Sequence, residues 1–166
     1  MSTDGLRHSI ANRVLTLYLL DTNHCSRLIE RDPVVRHRLQ LLGKVQVATS
    51  VVVCGELTFM AENSEQKAAN LLRVQVLLRG LEIYPIDREI ADIYGQLKAE
   101  IIARYGPRER SRRRRTRIEE VGVSDNDLWI AATALRHGLT VVSSDSDFER
   151  MREVRAFPLD NWLSNI

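Results

Sequence analysis

Four carboxylates in this chain stand where burial threatens their hydration. Asp21 ends the apolar run Leu17-Tyr18-Leu19-Leu20, and Asp145 follows Val141-Val142-Ser143-Ser144. Glu56 interrupts the stretch from Val51 to Ala61, which is otherwise almost entirely apolar or small, and Asp127 opens the apolar segment Leu128–Leu135. An ionised carboxylate taken out of water loses more than it regains unless something pairs with it. The fold must therefore bring partners to these four positions. Two of the four also mark where short strands stop.

Leu17–Leu20 reads as a buried strand because its apolar run ends abruptly at Asp21-Thr22-Asn23. Helices are expected over 24–31 and 34–42, separated by Asp32-Pro33 and stopped by Gly43, followed by a second strand over Val45–Ala48. Ser50 is placed to cap a helix through Asn63, and Ser64 to cap another through Arg79 with Gly80 as its stop. Glu82–Ile86 reads as a third strand, after which Asp87 caps a long helix reaching Tyr105. A helix from Ser124 to Gly138, a strand over Thr140–Ser143, a short helix over Ser146–Arg152 and an edge strand over Val154–Phe157 complete the pattern. Short apolar strands alternating with helices predict an α/β fold, three layers α/β/α around a short parallel sheet. Ligands in that architecture collect outside the carboxyl ends of the strands, which is where Asp21 and Asp145 fall.

At 166 residues one domain is expected, over 17–166, with residues 1–16 as an N-terminal extension that is either native or a misassigned start. The opening residues carry Arg7, His8, Asn12 and Arg13 and so lack a signal-peptide core, and no run approaches a membrane span. A cytoplasmic protein without membrane contact is the expectation. Cys25 and Cys54 have neither a disulfide framework nor zinc spacing around them and read as reduced packing residues.

The formal net charge of +2 conceals a dipole. Between Arg104 and Arg117 lie eight arginines against one acid, Glu109, a local charge of +7. The remaining 16 basic and 21 acidic residues sum to −5. An acidic site beside a basic segment suits a polyanion bridged by metal, although a solvated charge run would look the same in sequence. Aromatic residues are too few for a stacking platform. Trp129 is expected to pack along its helix or at a dimer contact, and Trp162 within the C-terminal region.

Each acid alone has a plain alternative. Asp21 and Asp145 are each placed to cap a helix, and Asp127 stands three residues after Ser124, the spacing of a capping box. Glu56 resists this, since a buried, unpaired carboxylate in the middle of a helix needs a basic partner or a cation. Two carboxylates about 4 Å apart repel by roughly 4 kcal/mol at an effective dielectric near 20, so converging four requires positive charge. Oxygen ligands with no His or Cys among them select Mg²⁺ or Mn²⁺ over Zn²⁺.

The strings LLDTN around Asp21, SVVVCGEL over 50–57, SDNDLWIAATAL over 124–135 and TVVSSDSDF over 140–148 resemble the PIN-domain ribonucleases, and among them the VapC toxins of type II toxin–antitoxin systems. The resemblance spans about residues 17–163, with the motifs in family order. It implies a Mg²⁺-dependent endoribonuclease, Mn²⁺ substituting, that hydrolyses RNA phosphodiester bonds and is neutralised by a cognate antitoxin. It implies Asp21, Glu56, Asp127 and Asp145 as the catalytic and metal-binding acids, supported by Thr22, Asn23 and Ser143. Asp147, before Phe148, is expected to support or cap rather than ligate. A homodimer is also implied. The segment over 104–117 is longer and more basic than the family's. Its Arg112, Arg113, Arg114 and Arg115 are expected to hold RNA phosphates or an acidic segment of the antitoxin.

Two other readings compete. A haloacid-dehalogenase-type phosphatase also ends a strand on Asp, but that chemistry wants a second Asp where this chain has Asn23. A non-catalytic RNA- or partner-binding module would not need all four acids.

Overall fold

The computed structural model describes residues 17–42 and 46–164. The expectations for residues 1–16, for Gly43 as a helix stop and for Val45 as the start of the second strand lie outside them. Five parallel strands form one sheet: β1 (Leu17–Leu20), β2 (Gln46–Ser50), β3 (Glu82–Tyr84), β4 (Thr140–Val142) and β5 (Leu159–Asp160), in the order β3-β2-β1-β4-β5. β1 is central, with Leu19 aligned to Ala48 of β2 and to Val141 of β4. Parallel strands need crossover connections, and the sequence supplies helices for them. These are α1 (Thr22–Ile29), α2 (Pro33–Leu42), α3 (Val51–Glu62), α4 (Lys67–Arg79), α5 (Arg88–Tyr105), α6 (Arg110–Arg113), α7 (Asp125–His137) and α8 (Ser146–Val154).

α1 packs with α2, α3 and α4, and α5 with α7 and α8, while α3 also meets α7. Buried between helices and sheet are Leu19, Leu20, Leu57, Leu97, Leu128 and Val141, among others. Among the described residues no helix is long and apolar enough to cross a membrane. The expected layering is therefore present, and it aims every strand's carboxyl end toward the same edge.

Several helix starts follow the chemistry read from the sequence. Side chains of Asp21, Ser50 and Asp87 accept from the backbone N–H groups of His24, Val53 and Ile90, capping α1, α3 and α5. Gly122, at φ 78°, takes the left-handed conformation that ends a 3₁₀ turn over Ile118–Val121 and redirects the chain toward α7.

Other expectations need correction. Ser64 does not cap α4, which begins at Lys67 with no side-chain cap; its hydroxyl instead donates to Ala61 O and accepts from Asn70. The last strand is Leu159–Asp160, because Val154 still belongs to α8 and the chain meets β4 at Pro158, whose O accepts from Val141 N at 3.0 Å. Trp129, expected along its helix or at a dimer contact, reaches across to the neighbouring helix. It stacks on Tyr94 of α5, centroids 3.7 Å apart at 8°. Trp162 is buried against Tyr18 and His24. Both cysteines are free, and burial pushes the Cys25 thiol up to about 12, which makes it inert as a nucleophile.

Candidate metal centre

The site assembles from the ends of β1 and β4, the first turns of α7 and α8 and the second turn of α3. Asp21 leaves β1 with its N–H donated to Val142 O at 3.2 Å, so β4 fixes its backbone. The residue is 4% exposed, and its carboxylate accepts twice on Oδ1, from His24 N at 2.8 Å and across 2.9 Å to His24 Nδ1. Oδ1 is thus spent on capping α1, and Oδ2 is the oxygen left for other chemistry. The helix-cap reading of Asp21 and the site reading hold together.

Asp145 repeats the arrangement one strand away. Ser143 Oγ accepts from Asp145 N at 3.0 Å, and Asp145 Oδ1 accepts from Asp147 N at 2.9 Å as the cap of α8. Asp147 Oδ2 in turn accepts from Ser124 N at 2.7 Å, tying the start of α7 to α8. Ser124 makes no side-chain cap, and the interactions that set the Asp127 carboxylate are burial and charge, none of them a hydrogen bond. The capping-box alternative for Asp127 therefore fails. A contact on the far side of α7 holds the same turn: Tyr94 and Lys98 donate to Asp125 Oδ1 at 2.5 and 3.0 Å.

Glu56 corrects an expectation. Its helix is buried on one side only, with Val53, Leu57 and Ala61 inward and Phe59 70% exposed. The carboxylate is half-buried and has no basic partner among the described residues. Oε2 accepts from the Thr22 hydroxyl, and Oε1 accepts from Asn126 Nδ2 at 2.8 Å. Neutral donors hold it, so its negative charge remains uncompensated.

The structure brings Asp127, Asp145 and Asp147 together, one carboxylate oxygen of each lying within 4.8 Å of the others. Asp21 and Glu56 stand close enough for their charges to act on Asp127. Its carboxyl is pushed up to about 7, by burial first and then by Asp145, Asp147, Asp21 and Glu56. Burial, reinforced by Asp145, also holds Asp147 above the usual carboxylate range. No arginine or lysine in the described ion pairs reaches these acids. An all-oxygen set with one carboxyl that accepts no hydrogen bond among the described residues fits a hard divalent cation.

Of the supporting residues, Thr22 and Ser143 bond the acids directly, whereas Asn23 reaches only Ser144 Oγ, at 3.3 Å. Two neighbours were not singled out in the sequence. His24 is fully buried and orients Asp21, while its Nε2 has no partner among the described residues. Asn126 steadies Glu56 across 70 positions of sequence. The signal for His24 was its place three residues after a capping Asp; nothing local marks Asn126.

Arg112–Arg115 lie on α6 and the turn after it, a short helical segment separate from α5. Arg112, Arg114 and Arg115 are exposed, and Thr116 Oγ1 donates to Arg112 O at 3.0 Å to brace the turn.

Comparison with known proteins adds the relatives. The PIN domain family profile matches residues 18–154. Ribonuclease VapC2 of Haemophilus influenzae is 30% identical over 149 residues, 88% of this chain and 98% of that protein. The tRNA(fMet)-specific endonuclease VapC of Salmonella typhimurium is 29% identical over 147 residues, covering 87% and 97%. Among solved structures, VapBC2 from Rickettsia felis bound to a fragment of its promoter DNA superposes with a TM-score of 0.71 at 26% identity, covering 89% of this chain and 99% of that one. DNA-bound VapBC from Salmonella typhimurium gives 0.70 at 28%, covering 89% and 98%.

Proposed function

The chain belongs to the PIN-domain family, alongside its VapC ribonucleases, and from that premise we propose that it is a Mg²⁺-dependent endoribonuclease, the toxin of a toxin–antitoxin pair. The observation that carries the reading is the convergence of Asp127, Asp145 and Asp147 with Asp21 and Glu56 beyond the strand ends, where no arginine or lysine among the described residues forms an ion pair with them. Asp127 and Asp21 Oδ2 are the principal ligands, with Asp145 and Asp147 completing the shell and Mn²⁺ able to substitute. The cation, when bound, supplies a water acidic enough to act as nucleophile and neutralises charge on the phosphoryl oxygens.

The chain's own residues do the rest. Asp145 and Asp147 hold the starts of α8 and α7 in register, so the cluster is set before substrate arrives. Glu56, fixed by Thr22 and Asn126 rather than by a cation, is the acid best placed to take the proton from an attacking water. A phosphatase reading lacks support, since Asn23 is directed to Ser144 and offers no carboxylate for leaving-group protonation.

The relatives solved with VapB partners support an antitoxin for this chain too. Exposed Val51, Phe59 and Met60 beside Glu56 offer one apolar surface for a homodimer. The arginines of α6 hold RNA backbone. Replacing Arg112, Arg113, Arg114 and Arg115 with Gln should flatten the dependence of log affinity on log salt by about 2–3 for single-stranded RNA. An unchanged slope would reduce the segment to a solvated charge run.

Brief induction of the protein followed by sequencing of RNA 5′ ends tests the function itself. New ends should accumulate at a restricted set of sites and be absent when Asp21→Asn is induced. Identical end profiles for the two proteins would contradict the reading.

A further inference from the structure

Two adjoining cavities open beyond the carboxyl ends of β4 and β5. The inner one, about 560 Å³, is lined by Ser143, Ser144, Asp145, Ser146, Arg38 and Arg152. The outer one, about 990 Å³, is lined by Arg31, Arg36, His37, Arg38 and Trp162. They share Arg38 and Ser164, so together they form one trench that starts at Asp145 and runs onto α2.

Charge changes sign along this trench. In the inner part Arg152 is engaged by Glu149 at 2.7 Å, and Asp145 and Asp160 balance the remainder. The outer part carries three arginines and His37, with no acid in its walls among the described residues. Arg38, at the junction, is underused: its Nη2 stands 3.5 Å from Asp160 Oδ2 and its buried Nε has no partner among the described residues. Arg31 and Arg36 form no ion pair among the described residues and are exposed. Such a row attracts an extended anion that passes beside Asp145, not a single small one. The hydroxyls of Ser143, Ser144, Ser146 and Ser164 along the same walls are donors of the kind that sugar and phosphate oxygens accept.

We propose that this trench holds the sugar–phosphate backbone of the RNA strand on one side of the scissile bond, with Arg36 and Arg38 as its principal contacts. The assignment rests on the ribonuclease reading and adds to it a substrate path on α2, whose lining residues are distinct from the arginines of α6. Backbone contacts fix register and give affinity without reading bases.

The test uses the full chain and a fluorescently labelled single-stranded RNA of about a dozen nucleotides, with binding measured in the Asp21→Asn background across a salt series. Arg36→Gln with Arg38→Gln should weaken binding equally for unrelated sequences and make the log–log salt slope shallower by about 1.4. Arg36→Lys with Arg38→Lys should restore the slope. In the Asp21 protein the Gln pair should raise KM and leave kcat unchanged. Arg36→Gln alone, which breaks no ion pair among the described residues, should give half the slope change and so guards against misfolding of the pair. Unaltered slope and KM would overturn the trench while cleavage by the parent protein upheld the nuclease. Trench-dependent binding by a protein that cleaves no RNA would do the reverse. Loss of poly-L-glutamate binding with RNA binding intact would make this a protein-docking surface and overturn the proposal.

Discussion

Asp21→Asn is expected to lower the rate of RNA cleavage by at least about 10²-fold while leaving the fold and its thermal midpoint essentially intact. Both halves follow from how Asp21 is used. Its Oδ1 caps α1 through His24 N and faces His24 Nδ1. An asparagine carbonyl oxygen reproduces the acceptor, and Asn and Asp rank together as helix caps. What asparagine removes is the charge, and with it the anionic oxygen that capping leaves over. Far-UV circular dichroism and a melting curve check the first half, and single-turnover cleavage checks the second. Equal losses of folding and activity would mean that Asp21 is a cap and nothing more.

The second large effect runs against the usual direction of mutations at a partly buried polar site. In the absence of divalent ions, Asp127→Asn should make the protein more stable. The Asp127 carboxyl is held at about 7, against an ordinary value of 3.8, by burial and by four neighbouring acids. Its ionised form is therefore disfavoured in the folded chain and not in the unfolded one. The stability this group allows is fully present below about pH 4, falls as the unfolded chain ionises, and is lost by about pH 7, above which the penalty is constant. After allowance for its partial exposure, the penalty is about 2–3 kcal/mol. For a chain of this size that corresponds to a melting point raised by roughly 5–10 °C at pH 8. Asparagine removes the charge, so the variant's curve should be flatter between pH 4 and 7. Saturating Mg²⁺ should reverse the order, because an ion that binds only the folded state stabilises it by mass action and the parent acid binds it better. A metal-free variant no more stable than its parent at pH 8 would remove the picture of clustered, uncompensated acids.

Much of this was legible in the sequence, for identifiable reasons. Asp21 and Asp145 end apolar strands, and a parallel sheet sends all such ends to one edge, so their proximity follows from topology. Asp127 looked like a capping box because Ser124 stands three residues before it. The spacing is real, but Asp147, from another helix, takes the Ser124 N–H, and local sequence does not carry that contact. For the same reason Asp147 read as a support to the site, whereas its carboxylate also lies among the clustered oxygens.

Glu56 was placed correctly in its helix and wrongly in its surroundings. An almost wholly apolar run suggests burial all round, yet Phe59 and Met60 face outward. Apolar residues on an exposed face carry no mark that distinguishes them from core in a single sequence. The edge strand slipped from 154–157 to 159–160 because α8 continues two residues past its expected end, and such a short strand is decided by pairing with β4 rather than by its own residues. His24 and Asn126 illustrate the remaining gap: each matters through one hydrogen bond to an acid, and only Asp21's capping geometry hinted at either.

The claim beneath all of these is that the clustered carboxylates form a divalent-cation site that hydrolyses RNA. Its most direct test is cleavage of labelled RNA by the purified protein, first in excess chelator and then across a Mg²⁺ titration, with Asp21→Asn run alongside. The expected result is no cleavage in chelator, recovery with Mg²⁺ or Mn²⁺, and none by the variant at any concentration. Cleavage that persists undiminished in chelator would contradict the claim.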